Sequence, residues 1–251
     1  MDAPQNKFQK GQYILIDKPL TWTSFDVVNK VRWLIKQEYK LKKIKVGHAG
    51  TLDPLATGLL ILCTGKLTKT INEVQAQEKE YTGIITLGAT TASYDLEKPV
   101  DIEYSTEHIT PELIQETAKS FIGEQEQTAP MHSAKKIDGK RAYEYAREGE
   151  EVKIKSNQIT IKEFDVEVCD FEGNEIVADG KINQEEPYQK GIHVKFRIVC
   201  SKGTYIRAIA RDFGEKLNSG GYLSKLVRTK IGDFNIADAI TVDNVSNLFE
   251  E

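Results

Sequence analysis

The chain has 251 residues, of which 39% are hydrophobic and 29% are charged, and its formal net charge is −4. This composition is typical of a soluble globular protein, and no apolar run approaches the roughly 18 residues that a membrane-spanning helix needs. Three cysteines and four histidines are scattered without the spacing of a disulfide framework or a metal site, so we expect reduced thiols, no bound metal and a cytoplasmic location.

Basic residues are concentrated in two blocks of this acidic chain. Residues 1–72 hold 12 Lys and Arg against 5 Asp and Glu, and residues 195–230 hold 9 against 2. Because the local field governs an encounter more than the total charge does, such blocks are suited to binding phosphates. Composition alone leaves open whether each block is only a solvated face.

The predicted elements follow one another without a βαβ rhythm. Residues 1–10 are expected to be flexible. Apolar or alternating runs predict strands at 12–16, 59–63, 81–87, 164–169 and 194–200. Apolar stripes and capping residues predict helices at 25–39 after Ser24, at 111–121, around 141–147, and after Thr204. Residues 123–152 are polar, and the acidic residues 171–191 are predicted to form a long hairpin loop. This order favours an α+β protein with a largely antiparallel sheet.

One short segment, residues 47–59 with the sequence GHAGTLDPLATGL, carries most of the functional information. Its carboxylate, Asp53, stands before a proline, which biases it toward an extended or turn conformation. Glycines on both sides permit tight turns. The apolar run that follows predicts a buried strand. The segment therefore presents Asp53 on a rigid loop, which is a usual place for a catalytic group.

Segment 47–59 closely resembles the catalytic segment of the TruB family, the bacterial tRNA pseudouridine-55 synthases. Five further motifs follow in the family's order, at residues 17–19, 80–81, 131–146, 200–207 and 226–228. An ordered series of motifs is more specific than one short pattern. The resemblance implies a mixed, largely antiparallel bent sheet, with helices around it and a central active-site cleft. It assigns residues 11–230 to the catalytic domain, with residues 123–152 as an inserted thumb. Residues 231–251 are expected to be a short tail in place of the PUA domain of longer relatives.

The resemblance also implies roles for seven residues. Asp53 would be the catalytic carboxylate, Arg207 its ion-pair partner and Tyr205 a proton shuttle. Tyr81 would stack on the flipped uracil, and Leu226 would pack against it. His48 would contact the RNA, and Lys18 would support the active-site loops. In the thumb, phosphate contacts are expected from Lys135, Lys136, Lys140, Arg141 and Arg147, whereas His132 replaces an aromatic residue that is common in relatives. After strand 81–87 the family often has two acids, and this chain keeps only the second, Asp95.

The implied reaction is the isomerisation of uridine to pseudouridine at position 55 in the T-loop of tRNA. It is redox-neutral, so we expect no cofactor. The expected partner is the T-arm stem-loop of tRNA, bound by a monomer without a membrane or an obligate protein partner. Two alternatives stay open: a non-catalytic chaperone that binds tRNA and promotes its folding, and a subunit of an RNA-guided pseudouridine synthase.

Overall fold

The computed structural model describes residues 6–249 apart from 134, 138, 151, 153 and 170–190, and it describes only the backbone at 136, 141, 143, 146 and 147. The α-helices in the described residues are Lys7–Lys10 (α1), Ser24–Glu38 (α2), Ile71–Ala76 (α3), Pro111–Lys119 (α4), Ala142–Glu148 (α5) and Ile206–Lys216 (α6). The strands are Tyr13–Lys18 (β1), Val46–His48 (β2), Ala56–Thr64 (β3), Lys79–Leu87 (β4), Ala89–Thr91 (β5), Val100–Glu103 (β6), Gly123–Gln127 (β7), Lys136–Ile137 (β8), Lys140–Arg141 (β9), Asn157–Cys169 (β10), Ile192–Cys200 (β11), Gly221–Ile231 (β12), Phe234–Asn235 (β13) and Ile240–Thr241 (β14). No helix among the described residues is both long and apolar enough to cross a membrane.

The chain divides into two compact units. The first comprises Met1–Tyr81 and Val227–Glu251, and the second comprises Thr82–Leu226. Strands β4 and β12 each contribute residues to both units.

The sheet of the first unit has the strand order β14, β1, β3, β12, with β2 on β3 and β13 on β12. Strand β1 runs antiparallel to β3, with Ile16 opposite Leu60, and parallel to β14. Helix α2 covers one face of this sheet, since Val27, Val31 and Ile35 are buried against β1 and β3. The apolar face of the helix, predicted from its spacing, is thereby confirmed.

Both ends of the first unit are more ordered than the sequence predicted. Residues 7–10, within the segment expected to be flexible, form α1, and Phe8 is only 1% exposed. Its ring packs edge-on against Tyr39 and Phe249. The expected tail, residues 231–251, supplies β13 and β14 and buries Val242 and Val245 in the core.

The sheet of the second unit has the order β12, β4, β11, β10, β7. Strands β10 and β11 pair antiparallel with Phe164 opposite Ile198, and α4 packs against β10. A cluster of rings from Phe121, Phe164, Phe196 and Phe213 fills the core. The predicted α+β class with a mixed, largely antiparallel sheet is confirmed. The central cleft stays a prediction, and the predicted loop at 171–191 lies almost wholly outside the described residues.

Two predicted helix caps are wrong. Helix α2 is capped by Thr23, whose side chain accepts a hydrogen bond from the backbone of Asp26 while the Asp26 side chain bonds back to Thr23. This is a capping box, which satisfies two otherwise unpaired backbone donors. Helix α6 has Tyr205 at its N-cap, without a side-chain capping bond, and Thr204 donates to the carbonyl of Ser201 instead.

Candidate active site

Asp53 lies at the turn of a β-hairpin. Strands β2 and β3 pair antiparallel with His48 opposite Leu62, and residues 49–55 connect them. Gly50 and Gly58 both have positive φ, at 106° and 100°. A residue with a side chain would be strained at these φ values, so the glycines permit the turn. The predicted rigid loop before a buried strand is therefore present.

Arg228 of β12 holds the first half of this loop. Its guanidinium donates hydrogen bonds to the carbonyls of Gly50 at 3.0 Å and Thr51 at 3.4 Å. A third bond, from Nε, reaches the carbonyl of Leu59 in β3 at 2.8 Å. The same side chain forms a hydrogen bond with Tyr81. Arg228 thus joins the first half of the Asp53 loop and strand β3 to the tyrosine that the resemblance places on the substrate base.

The second half of the loop is held from the other side. The hydroxyl of Ser24 donates to the carbonyl of Leu52 at 3.1 Å and accepts from its N–H at 2.8 Å. The carbonyl of Asp53 accepts from the N–H of Ala56 at 3.1 Å. With the two carbonyls held by Arg228, and that of Pro54 described next, every carbonyl from residue 50 to 54 has a donor. Such a loop has little freedom to move its carboxylate.

Lys18 is a buried cation that closes this arrangement. Its Nζ donates to the carbonyls of Pro19 at 2.9 Å, Trp22 at 2.6 Å and Pro54 at 3.3 Å. Burial lowers the pKa of Lys18 from 10.5 to about 8, although the nearby Asp53 carboxylate opposes the change. The predicted role of Lys18, support of the active-site loops, agrees with these contacts.

The lowered pKa of Lys18 predicts a pH-dependent stability. An unfolded chain keeps the lysine proton up to about pH 10.5, whereas the folded chain loses it near pH 8. The unfolded state therefore binds more protons between these values, and a rise in pH favours folding. We expect the unfolding free energy of wild type, relative to Lys18→Met, to increase across this window by at most about 1.4 kcal/mol per pH unit. Denaturant titrations at several pH values measure it, and a constant difference would contradict the assignment.

His48 and Tyr81 are the other predicted site residues that lie in the first unit. Burial, with a further contribution from the positive charge of Arg228, lowers the pKa of His48 below its usual value, against a hydrogen bond with Gly50. These surroundings favour the neutral form of the ring. Tyr81 lies in β4 and is 9% exposed.

Arg207 lies in the first turn of α6, in the second unit, and is 6% exposed. Its Nε is 3.6 Å from a carboxylate oxygen of Asp95. Its two terminal nitrogens donate to the carbonyls of Ser93 at 3.1 Å and His132 at 2.9 Å. The ion pair of Arg207 with Asp53 stays a prediction, whereas the pair with Asp95 is an observed contact.

Tyr205 is fixed through its backbone. The Gln127 side chain accepts from the N–H of Tyr205 at 2.8 Å and donates to its carbonyl at 3.1 Å. Gln127 is 3% exposed, so this pair of hydrogen bonds is shielded from water. Leu226 is half-buried in β12, which leaves part of its side chain available for contact.

The described part of the thumb, residues 123–152, contains β7, β8, β9 and α5, so the helix predicted around 141–147 is confirmed. Lys135 donates to Asn157 at 2.9 Å, and Lys140 forms an ion pair with Glu148. The side chains of Lys136, Arg141 and Arg147 lie outside the described residues. The predicted phosphate contacts of the thumb stay predictions.

The sequence did not indicate three residues that hold predicted site residues in place. Arg228 was noted only as part of a motif, Asp95 only as the remaining acid of a family pattern, and Gln127 not at all. Their partners lie tens of residues or more away along the chain. The one available signal was an arginine directly after the apolar pair Leu226 and Val227, because a buried arginine needs specific partners.

Comparisons with known proteins agree with the geometry. A family model described as TruB family pseudouridylate synthase (N terminal domain) matches residues 36–206. The chain is 50% identical over 237 residues to tRNA pseudouridine synthase B of Phocaeicola vulgatus, which covers 94% of this chain and 92% of the relative. It is also 50% identical over 246 residues to tRNA pseudouridine synthase B of Flavobacterium johnsoniae, covering 98% of this chain and 97% of the relative.

Solved structures show the same fold. The match to a chain in the crystal structure of a Cbf5–Nop10–Gar1 complex has a TM-score of 0.64 and 27% identity, over 96% of this chain and 55% of that one. An archaeal box H/ACA sRNP Nop10–Cbf5 complex gives a TM-score of 0.61 at 21% identity, over 97% of this chain and 55% of that one. The family model and the identities near 50% over almost the whole sequence show that the chain belongs to the TruB family of pseudouridylate synthases.

Proposed function

We propose that this enzyme converts uridine 55 in the T-loop of tRNA to pseudouridine and that Asp53 is its catalytic carboxylate. The isomerisation of uridine in tRNA follows from family membership and from relatives named tRNA pseudouridine synthase B at 50% identity. The observation that supports the role of Asp53 is its loop, in which every carbonyl from residue 50 to 54 is hydrogen-bonded. A loop held so completely is suited to presenting one carboxylate in a fixed position.

The chemistry suits a lone carboxylate. The reaction breaks the N1–C1′ bond, turns the base over and forms a C5–C1′ bond, after which the C5 proton is lost and N1 gains a proton. Atoms and electrons balance without an electron carrier. A carboxylate is able to add to an electrophilic carbon or to accept a sugar proton and then leave again.

The other predicted residues fit the handling of a flipped base. A base inside folded RNA has to leave its stack before an enzyme reaches it. We propose that the Tyr81 ring stacks on this base, that the half-buried Leu226 packs against it, and that His48 contacts the neighbouring RNA. Tyr205 serves as a proton shuttle, and Arg207 supplies the fixed positive charge of the site.

We further propose that the enzyme acts as a monomer on tRNA alone. The RNA-guided alternative has one supporting observation, the fold shared with Cbf5 in its complex with Nop10 and Gar1. The relatives named tRNA pseudouridine synthase B are about twice as similar in sequence and match over more than nine tenths of their own length. This difference favours the stand-alone enzyme. A chaperone role is compatible with catalysis, so the two are separated only by measuring turnover.

The minimal substrate provides a direct test. We expect purified enzyme to modify an isolated T-arm stem-loop transcript in EDTA, without a nucleotide or flavin, because shape and phosphates of the folded loop are sufficient for recognition. Pseudouridine is measured by mass spectrometry after nuclease digestion. A stem-loop with the target uridine replaced by cytidine is the control. Loss of activity on addition of EDTA, or an inert stem-loop beside a converted full-length tRNA, would contradict this proposal.

A further inference from the structure

Arg228 is a buried cation whose charge is met by carbonyls and a phenol. It is 1% exposed, and among the described residues no carboxylate lies within ion-pair distance of it. Burial of a guanidinium is costly, and an apolar side chain of similar volume is often neutral or stabilising in such a place. The contacts of Arg228 therefore call for an explanation other than stability.

Those contacts converge on two groups of the proposed site. Three hydrogen bonds reach Gly50, Thr51 and Leu59, on both sides of Asp53 in the chain. A further bond joins the guanidinium to Tyr81. The planar fork of an arginine directs several N–H groups at once into fixed directions, which a lysine ammonium cannot reproduce.

The backbone of Arg228 adds a second restraint on the same loop. A Cβ at Gly58 would lie 2.4 Å from the carbonyl oxygen of Arg228 and 2.8 Å from its nitrogen. The start of β3, just after the Asp53 loop, therefore packs directly against the strand that carries the guanidinium. Side chain and backbone of one residue thus contact four positions, Gly50 and Thr51 in the loop and Gly58 and Leu59 in β3.

We propose that Arg228 is a positioning residue that fixes the Asp53 carboxylate relative to the Tyr81 ring. It acts through these two groups, because its own side chain is almost wholly buried. The proposal rests on the proposed roles of Asp53 and Tyr81. A displacement of about 1 Å in an active site can cost about 100-fold in rate. Arg228 should therefore affect the chemical step far more than tRNA affinity.

The test compares Arg228→Met and Arg228→Lys with wild type on unmodified tRNA, below the melting temperature of every variant. We expect Arg228→Met to lower the single-turnover rate constant about 100-fold, with a Kd for tRNA within about threefold of wild type. Arg228→Lys, which keeps the charge but not the fork, should recover less than about a tenth of the loss. Lys79→Met is the matched control, since Lys79 is also a buried cation bonded to carbonyls, those of Gln75 and Gln77, outside the Asp53 loop. It should lose stability and keep kcat within about twofold.

Tyr81→Phe separates positioning from general stability, because it removes only the hydroxyl that Arg228 contacts. In a double-mutant cycle, Tyr81→Phe should cost less in the Arg228→Met background than in wild type. Amide hydrogen exchange at residues 50–55, measured without RNA, should be faster in Arg228→Met and unchanged in Lys79→Met. Wild-type kcat in Arg228→Lys, additive effects in the cycle, or equal losses of kcat in Arg228→Met and Lys79→Met would overturn the proposal. If wild type itself made no pseudouridine, the proposed function would be wrong. The exchange experiment would still test whether Arg228 holds the Asp53 loop in place.

Discussion

Asp53→Asn is expected to abolish turnover, with a loss of at least about 1,000-fold, while tRNA binding stays within about threefold of wild type. Asparagine keeps the size and hydrogen-bonding shape of the side chain, so the loop that holds residues 50–54 should remain intact. It removes the negative charge that adds to carbon or accepts a proton. Affinity comes from many phosphate contacts, so it should be nearly independent of one carboxylate.

Single-turnover formation of pseudouridine and filter binding of the same tRNA measure these two quantities. Asp233→Asn is a matched control, because Asp233 is an exposed carboxylate in the turn between β12 and β13 of the same unit. It should retain full turnover. An Asp53→Asn enzyme within tenfold of wild type would show that the carboxylate has been assigned wrongly.

Arg207→Ala is expected to lower kcat by about 100-fold or more, and Arg207→Lys should restore little of it. The guanidinium contacts three acceptor groups: the Asp95 carboxylate and the carbonyls of Ser93 and His132. An ammonium cannot reach three acceptors in these directions. Asp95→Asn, which removes the charge of the observed ion pair, should lower kcat by about tenfold to 100-fold.

A double-mutant cycle of Arg207→Lys and Asp95→Asn gives the coupling between the two residues. We expect the double variant to be little worse than Arg207→Lys alone. Arg211→Lys, one turn later in α6, is the control and should stay close to wild type. Full activity in Arg207→Lys would show that the arginine supplies only general positive charge.

The sequence was informative where structure depends on neighbours in the chain. The loop around Asp53 was predictable, because its glycines and the Asp-Pro pair act locally and the strand after it is a continuous apolar run. The buried stripe of α2 was predictable for the same reason. The α+β class followed from the order of these local elements.

The errors arose where a distant partner decides the role of a side chain. Serine is a preferred N-cap residue, yet the hydroxyl of Ser24 bonds to Leu52, 28 residues away, and the preceding Thr23 caps the helix. Phe8 is buried because the rings of Tyr39 and Phe249 pack against it. No local pattern indicates either contact.

Distant partners also explain why the contacts that hold the Asp53 loop could not be predicted from the sequence. Arg228 and Gly50 are separated by 178 positions in the chain, and the hydrogen bond from the arginine side chain to the glycine carbonyl exists only in the folded sheet. Motif order assigned a function to the loop but not the groups that hold it. Those groups became visible only once burial and hydrogen bonding were known.

We propose, then, that this chain makes pseudouridine at one position of tRNA with the carboxylate of Asp53. The most direct test of this proposal is to incubate an unmodified tRNA transcript with wild type or Asp53→Asn and to map every pseudouridine by mass spectrometry of nuclease fragments. We predict complete conversion at position 55 alone with wild type and none with Asp53→Asn. Pseudouridine at other positions, no pseudouridine with wild type, or equal conversion by both proteins would contradict the account.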